Sequence, residues 1–76
     1  MPLIQVLNAT PSSTAQKREL LAELTATYAR VMRIRPDTIR VTLQELPREN
    51  WSVGGVTLAD SGQPAAVRDP LDHLGE

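Results

Sequence analysis

The chain has 76 residues, with eight basic and nine acidic side chains and no cysteine. A domain of this size buries only about 60% of the surface of its unfolded chain, so we expect self-association to stabilise it. The lack of cysteine excludes disulfides and thiolate metal sites, and a near-zero net charge with one Trp, one Tyr and no Phe argues against nucleic-acid binding.

No stretch of about 18 apolar residues occurs, and the N-terminus lacks the charged segment and apolar core of a signal peptide. We therefore expect a soluble, cytoplasmic protein without membrane contacts. His73 is the single histidine and lies near Asp69, Asp72 and Glu76. We interpret this group as a solvated end of the chain rather than a metal cluster, and we expect neither a metal nor a cofactor.

Pro2 opens the first predicted strand, residues 2–8, directly after Met1. We expect Met1 to be removed because the next residue is small, which would make the Pro2 nitrogen a secondary amine. In an apolar pocket the charged form of such an amine is disfavoured, so its pKa would fall toward the range of a general base. A proline at this position is more often incidental, and the rest of the chain has to support a catalytic role.

The first strand alternates loosely, with Ile4 and Val6 on one side and Leu3 and Leu7 on the other. This pattern predicts a strand with both faces at least partly buried.

A long amphipathic helix should follow. Ser13 and Gln16 have the spacing of a capping box, and Pro36 should end the helix near Arg33 or Ile34. Lys17 lies within the apolar arc, and we expect it to extend outward to solvent. The apolar stripe consists of Leu20, Leu21, Leu24, Tyr28, Val31 and Met32.

The second predicted strand, residues 39–46, alternates clearly. Its apolar side chains should face the helix, and Arg40, Thr42 and Gln44 should face the other way. Strand, helix and strand form a right-handed crossover, so the fold class is α/β with two parallel strands. Oligomerisation should complete this sheet because two strands cannot bury both faces alone.

Gly54 and Gly55 indicate a short C-terminal hairpin. From there we expect residues 58–76 to form an extended, irregular tail of one single domain spanning residues 1–76.

These elements, in this order, resemble the 4-oxalocrotonate tautomerase family from Pro2 to about Leu58. The stretches that carry the resemblance are Pro2-Leu3-Ile4-Gln5-Val6, Ser13-Thr14-Ala15-Gln16-Lys17, Ile39-Arg40-Val41 with Glu45, and Trp51-Ser52-Val53-Gly54-Gly55.

The resemblance implies an isomerase that moves a proton between enol and keto forms of a small molecule. Pro2 matches the catalytic base, and Arg40 matches an arginine that polarises substrate oxygens in a neighbouring subunit's site. Trp51 matches an aromatic wall that keeps the site apolar. The family also implies a homohexamer built as a trimer of dimers, with a dimer or a heterohexamer as alternatives.

One position departs from the family pattern. Ser12 stands where these tautomerases commonly carry an arginine that binds the substrate carboxylate, and Ala9 lies beside it among the predicted substrate-binding residues. Loss of such a charge-assisted contact costs roughly 1.5 to 3 kcal/mol. We therefore expect a substrate other than the usual 2-hydroxymuconate dicarboxylate. Arg33, Arg35 and Arg48 are possible replacements, and nothing in the sequence places them in the site.

Two alternatives stay open. The first keeps the fold with another reaction, such as hydration, dehalogenation or carbon–carbon bond formation through an iminium at Pro2. Related dehalogenases carry paired arginines and a water-activating glutamate where this chain has Ala9, Ser12 and Val53, and Glu49 is offset from that last position. The second alternative is a non-catalytic or weakly active subunit of a hetero-oligomer.

Overall fold

The computed structural model describes residues 1–62. The elements are β1 (Leu3–Asn8), α1 (Thr14–Met32), β2 (Arg40–Glu45), β3 (Ser52–Val53), β4 (Val56–Thr57) and α2 (Leu58–Ser61), with 3-10 turns at Pro36–Thr38 and Arg48–Asn50.

The strands β1 and β2 pair in parallel, as the α/β prediction required. Ile4 lies opposite Val41, and Val6 lies opposite Leu43. Beyond the amino end of the strands, the Arg40 amide donates to the Pro2 carbonyl at 3.1 Å. Beyond the carboxyl end, Leu46 donates to Asn8 at 2.7 Å, so the ladder continues past both ends of the sheet.

Helix α1 begins and ends where the sequence predicted. The Ser13 hydroxyl accepts from the Gln16 amide at 3.1 Å, and the Gln16 side chain accepts from the Ser13 amide at 2.9 Å. This reciprocal pair satisfies two of the amides that a helix start leaves without partners. At the other end Arg33 adopts a left-handed conformation with φ of 56° and closes the helix before Pro36.

A single chain has almost no core of its own. Among the described residues only Ala9 is a buried hydrophobic residue. Leu21, Leu24 and Tyr28 of α1 cover the inner face of the sheet and are partly buried. On the outer face Leu3 and Leu7 are 62% and 50% exposed. The predicted stripe is therefore wider than the surface that one sheet covers, since Leu20, Val31 and Met32 are 38%, 61% and 55% exposed.

The predicted hairpin forms between β3 and β4. Gly54 and Gly55 have φ of 62° and 85°, which the two-residue turn requires and most side chains disfavour. The chain then differs from the predicted extended tail, because the Thr57 hydroxyl accepts from the Asp60 amide at 3.2 Å and starts the short helix α2. The rest of the predicted tail, with the group around His73, lies outside the described residues.

No helix within residues 1–62 is long and apolar enough to cross a membrane. The same residues contain no group of three or more side chains arranged to hold a metal ion. The cytoplasmic location stays a prediction.

Candidate active site

Pro2 and Arg40 are neighbours at the amino edge of the sheet. Their backbones are joined by the hydrogen bond from the Arg40 amide to the Pro2 carbonyl, and Leu3 is the register partner of Arg40. Pro2 is partly buried, whereas the Arg40 side chain is exposed on the face that points away from α1. Within residues 1–62 Arg40 forms no ion pair. The predicted base and the predicted arginine therefore lie at one edge of the same chain.

The predicted substrate-binding residues lie elsewhere. Ala9 and Ser12 follow the end of β1, a strand of six residues, so about 20 Å separates them from Pro2 at about 3.3 Å per residue. Trp51 follows β2 in the chain. Its backbone carbonyl accepts a hydrogen bond from the Leu58 amide at 2.8 Å. Pro2 and Arg40 thus lie at one end of the sheet and Ala9 and Ser12 at the other, and a site that unites these two groups needs more than one chain.

At the carboxyl edge, Ser12 is engaged by a carboxylate of its own chain. The Ser12 hydroxyl donates to Glu45 Oε1 at 2.8 Å, and the Ser12 amide donates to the same oxygen at 3.2 Å. Lys17 Nζ lies 3.2 Å from this oxygen, with 39% of the Lys17 side chain and 32% of the Glu45 side chain exposed. Lys17 therefore pairs with Glu45 instead of extending outward to solvent alone.

These contacts change the chemistry of the Glu45 carboxyl. The hydrogen bond from Ser12 and then the contact with Lys17 hold the pKa of Glu45 below its ordinary value of 4.5. The Glu45 carboxylate therefore occupies the amide and hydroxyl donors of Ser12, one of the predicted substrate-binding residues. The sequence analysis did not predict this cluster, although the position of Lys17 within the apolar arc was a signal for it.

A cleft of about 340 Å³ opens beside this cluster. Arg48 lines it and is partly buried, and its Nη2 donates to the Leu58 carbonyl at 2.9 Å. Of the other arginines considered as replacements, Arg35 pairs with Asp37 at 2.8 Å and Arg33 caps α1. The cleft is lined by Ala9, Thr10, Pro11, Glu45, Leu46, Pro47 and Arg48.

The position of Arg48 was not predictable from the sequence. It depends on the 3-10 turn Arg48–Asn50, which follows the strand, and on the carbonyl of Leu58 at the start of α2. Neither contact has a periodic pattern that a single sequence reveals.

Comparison with known proteins shows which family the chain belongs to. The family model for tautomerase enzymes matches residues 2–61. The 2-hydroxymuconate tautomerase of Pseudomonas putida is 27% identical over 63 residues, which cover 83% of this chain and all of that protein.

Solved structures agree with this match. The heterohexamer 4-oxalocrotonate tautomerase from Chloroflexus aurantiacus is 33% identical, with a TM-score of 0.74 over 79% of this chain and 97% of that one. TomN, a 4-oxalocrotonate tautomerase homologue in the tomaymycin biosynthetic pathway, is 31% identical, with a TM-score of 0.77 over 80% of this chain and 94% of that one. The chain belongs to the tautomerase family and is an isomerase of the 4-oxalocrotonate tautomerase type.

Proposed function

We propose that this isomerase, once Met1 is removed, uses the Pro2 nitrogen as a general base for proton transfer between enol and keto forms. The observation that carries the proposal is the match to the tautomerase family, which begins at Pro2. Free Pro2 would take a proton from the enol hydroxyl or from the carbon next to the carbonyl. It would return that proton to another carbon of the conjugated system, so the reaction needs no cofactor.

Arg40 would stabilise the negative charge that develops on the substrate oxygen during this transfer. A guanidinium offers paired N–H donors to such an oxygen, and this kind of electrostatic stabilisation is often the largest single catalytic contribution. Its exposed side chain, without an ion pair among residues 1–62, is consistent with a role toward another molecule. Trp51 and Ala9 would form apolar walls that favour the neutral amine of Pro2.

The assembly that fits this proposal is a homohexamer, a trimer of dimers. The two groups of site residues at opposite ends of the sheet, and the exposed leucines of its outer face, support an assembly in which copies complete each other's sites. The Chloroflexus aurantiacus relative is a heterohexamer, so a mixed assembly is the principal alternative, and a dimer is a second one. Activity and size of the purified chain alone distinguish these assemblies.

The substrate would be a small enol or keto acid other than the 2-hydroxymuconate dicarboxylate. Ser12 supplies no positive charge, and both of its donors face Glu45. A second substrate carboxylate near Ser12 would meet this internal carboxylate instead of a guanidinium. We therefore expect enols with one carboxylate to be converted more efficiently than enols with two.

The test compares wild type with Pro2→Ala, after intact-mass measurement confirms that Met1 is absent from both. Ketonisation of the enol of phenylpyruvate should slow by about a hundredfold to ten-thousandfold, the usual contribution of a positioned base. Pro36→Ala is the matched control, because it removes a proline from the turn before β2 and should leave the rate nearly unchanged. An unchanged rate in Pro2→Ala would reject the proposal.

A further inference from the structure

We infer that Glu45 determines substrate specificity by accepting a hydrogen bond from a hydroxyl group of the substrate in the cleft beside Ser12. The inference rests on the proposed function for the identity of the site. It adds the kind of group that the substrate carries at the end remote from the reacting carbonyl. We call this space the Glu45 cleft, defined by the seven lining residues given above.

The first step concerns the second oxygen of the Glu45 carboxylate. The Ser12 hydroxyl, the Ser12 amide and Lys17 Nζ all contact Oε1, at 2.8, 3.2 and 3.2 Å. Within residues 1–62, the hydrogen bonds and the ion pair of Glu45 thus all use this one oxygen. A carboxylate can accept hydrogen bonds on both of its oxygens. Oε2 therefore retains its capacity to accept a hydrogen bond from a ligand.

The second step concerns position. Glu45 is the last residue of β2, and the three donors on Oε1 hold its side chain against the loop and the start of α1. The side chain lines the Glu45 cleft and is 32% exposed, so a ligand in the cleft can reach it. An acceptor that is already held in place loses less conformational entropy on binding than an unrestrained side chain does.

The third step concerns charge. The hydrogen bond from Ser12 and the contact with Lys17 lower the pKa of Glu45, so the carboxylate is ionised near neutral pH. Because Lys17 compensates this charge, a cationic ligand gains little from the pair. A second carboxylate on the substrate has no proton to donate to Oε2. A neutral donor such as a hydroxyl group is therefore the ligand group that Glu45 favours.

The fourth step concerns the rest of the ligand. Ala9, Pro11, Leu46 and Pro47 give the Glu45 cleft mostly apolar walls. An acceptor beside apolar walls matches a hydroxyl group on an apolar frame, such as a hydroxylated aromatic ring. The substrate class is then an enol or keto acid with one carboxylate and a distal hydroxyl group.

The experiment measures binding without turnover. Isothermal titration calorimetry compares meta- and para-hydroxyphenylacetate with analogues that carry a methyl or a methoxy group at the same ring position. The methyl group is similar in size to the hydroxyl and forms no hydrogen bond, and the methoxy group accepts but does not donate. We expect at least one hydroxyl isomer to bind wild type about three- to tenfold more tightly than both of its analogues, the range of a hydrogen bond to a partly exposed acceptor.

Variants separate recognition from damage to the fold. Glu45→Gln keeps one oxygen for the Ser12 donors and replaces Oε2 with an N–H donor, so the preference for the hydroxyl group should disappear. Glu19→Gln changes an exposed glutamate of α1 and should retain the preference. Circular dichroism and sizing identify a Glu45→Gln chain that has lost its structure. In that case the comparison of hydroxyl with methoxy in wild type carries the test, because only the hydroxyl donates.

Two outcomes would overturn the inference. The first is that neither hydroxyl isomer binds wild type more tightly than its methoxy analogue, which includes the absence of any binding. The second is a preference that persists unchanged in folded Glu45→Gln. Both are distinguishable from failure of the proposed function, since binding of an inert acid does not require a proton transfer at Pro2. If Pro2→Ala retains the ketonisation rate while Glu45→Gln loses the preference, the base is refuted and the Glu45 assignment stands.

Discussion

At the residue scale, Glu45 links the sheet to the start of α1. Its Oε1 accepts from the Ser12 hydroxyl and amide and lies beside Lys17, so one carboxylate oxygen joins β2 to two positions of the loop and helix. Because these contacts lower the pKa of Glu45, the ionised carboxylate stabilises the folded state. This contribution is present above the pKa of the unfolded chain and disappears as the pH falls through the lower pKa of the folded state.

Glu45→Gln should therefore be less stable than wild type near neutral pH, and the difference should shrink as the pH falls below 4.5. Urea unfolding at a series of pH values and one fixed protein concentration measures the effect. Ser12→Ala removes the largest cause of the lowered pKa and should show a weaker form of the same dependence. A stability difference that stays constant across the acid range would contradict this role of Glu45.

At the scale of elements, the stability of α1 depends more on the contacts at its two ends than on burial of its side chains. Its start has the reciprocal contacts of Ser13 and Gln16, and its end has the left-handed Arg33. No residue of α1 is fully buried in the single chain, so packing within the chain holds this helix weakly. Local contacts at the helix ends then contribute a larger share of its stability.

Ser13→Ala should lower the free energy of unfolding by about 1 kcal/mol, because the Gln16 amide loses its acceptor. Chemical denaturation measures this change. Thr14→Ala, one residue further along the exposed helix start, is the matched control and should change stability by less than about 0.5 kcal/mol. Equal effects of the two substitutions would argue against the capping contact.

At the scale of the whole molecule, exposed apolar surface is the dominant feature. Leu3 and Leu7 on the outer sheet face, and Val31 and Met32 at the end of α1, are each at least 50% exposed. Exposed apolar surface of this kind marks contacts with other proteins. For this chain, additional copies would cover it and bring Ala9, Ser12 and Trp51 of one copy near Pro2 of another.

Leu7→Glu should dissociate the assembly into smaller species, because it places a charge on the face that other copies would cover. Analytical ultracentrifugation measures the mass, and the ketonisation rate should fall together with it. Gln5→Leu makes the same face more apolar and should leave the assembly intact. A Leu7→Glu chain with the mass of wild type would refute the assignment of this face as an interface.

The regular elements were predictable because local chemistry determines them. Ser13, Pro36 and the paired glycines fix the ends and turns, and period-two alternation places Arg40 on the outer face of β2. The Glu45 cluster and the cleft beside it, which Ala9, Glu45 and Arg48 line, were not predictable, since both join segments that are distant in sequence. Helix α2 was missed for a related reason, because a four-residue helix has too few positions to show a periodic pattern.

The most direct test of the central claim asks whether the nitrogen of Pro2 must be free. Insertion of one bulky residue between Met1 and Pro2 blocks removal of Met1 and leaves the Pro2 nitrogen as an amide, while Pro2 itself is unchanged. Ketonisation of the enol of phenylpyruvate by the extended chain should be at least about a hundredfold slower than by the chain that begins with free Pro2. Equal rates from two assemblies with the same number of subunits would contradict the assignment of Pro2 as the base.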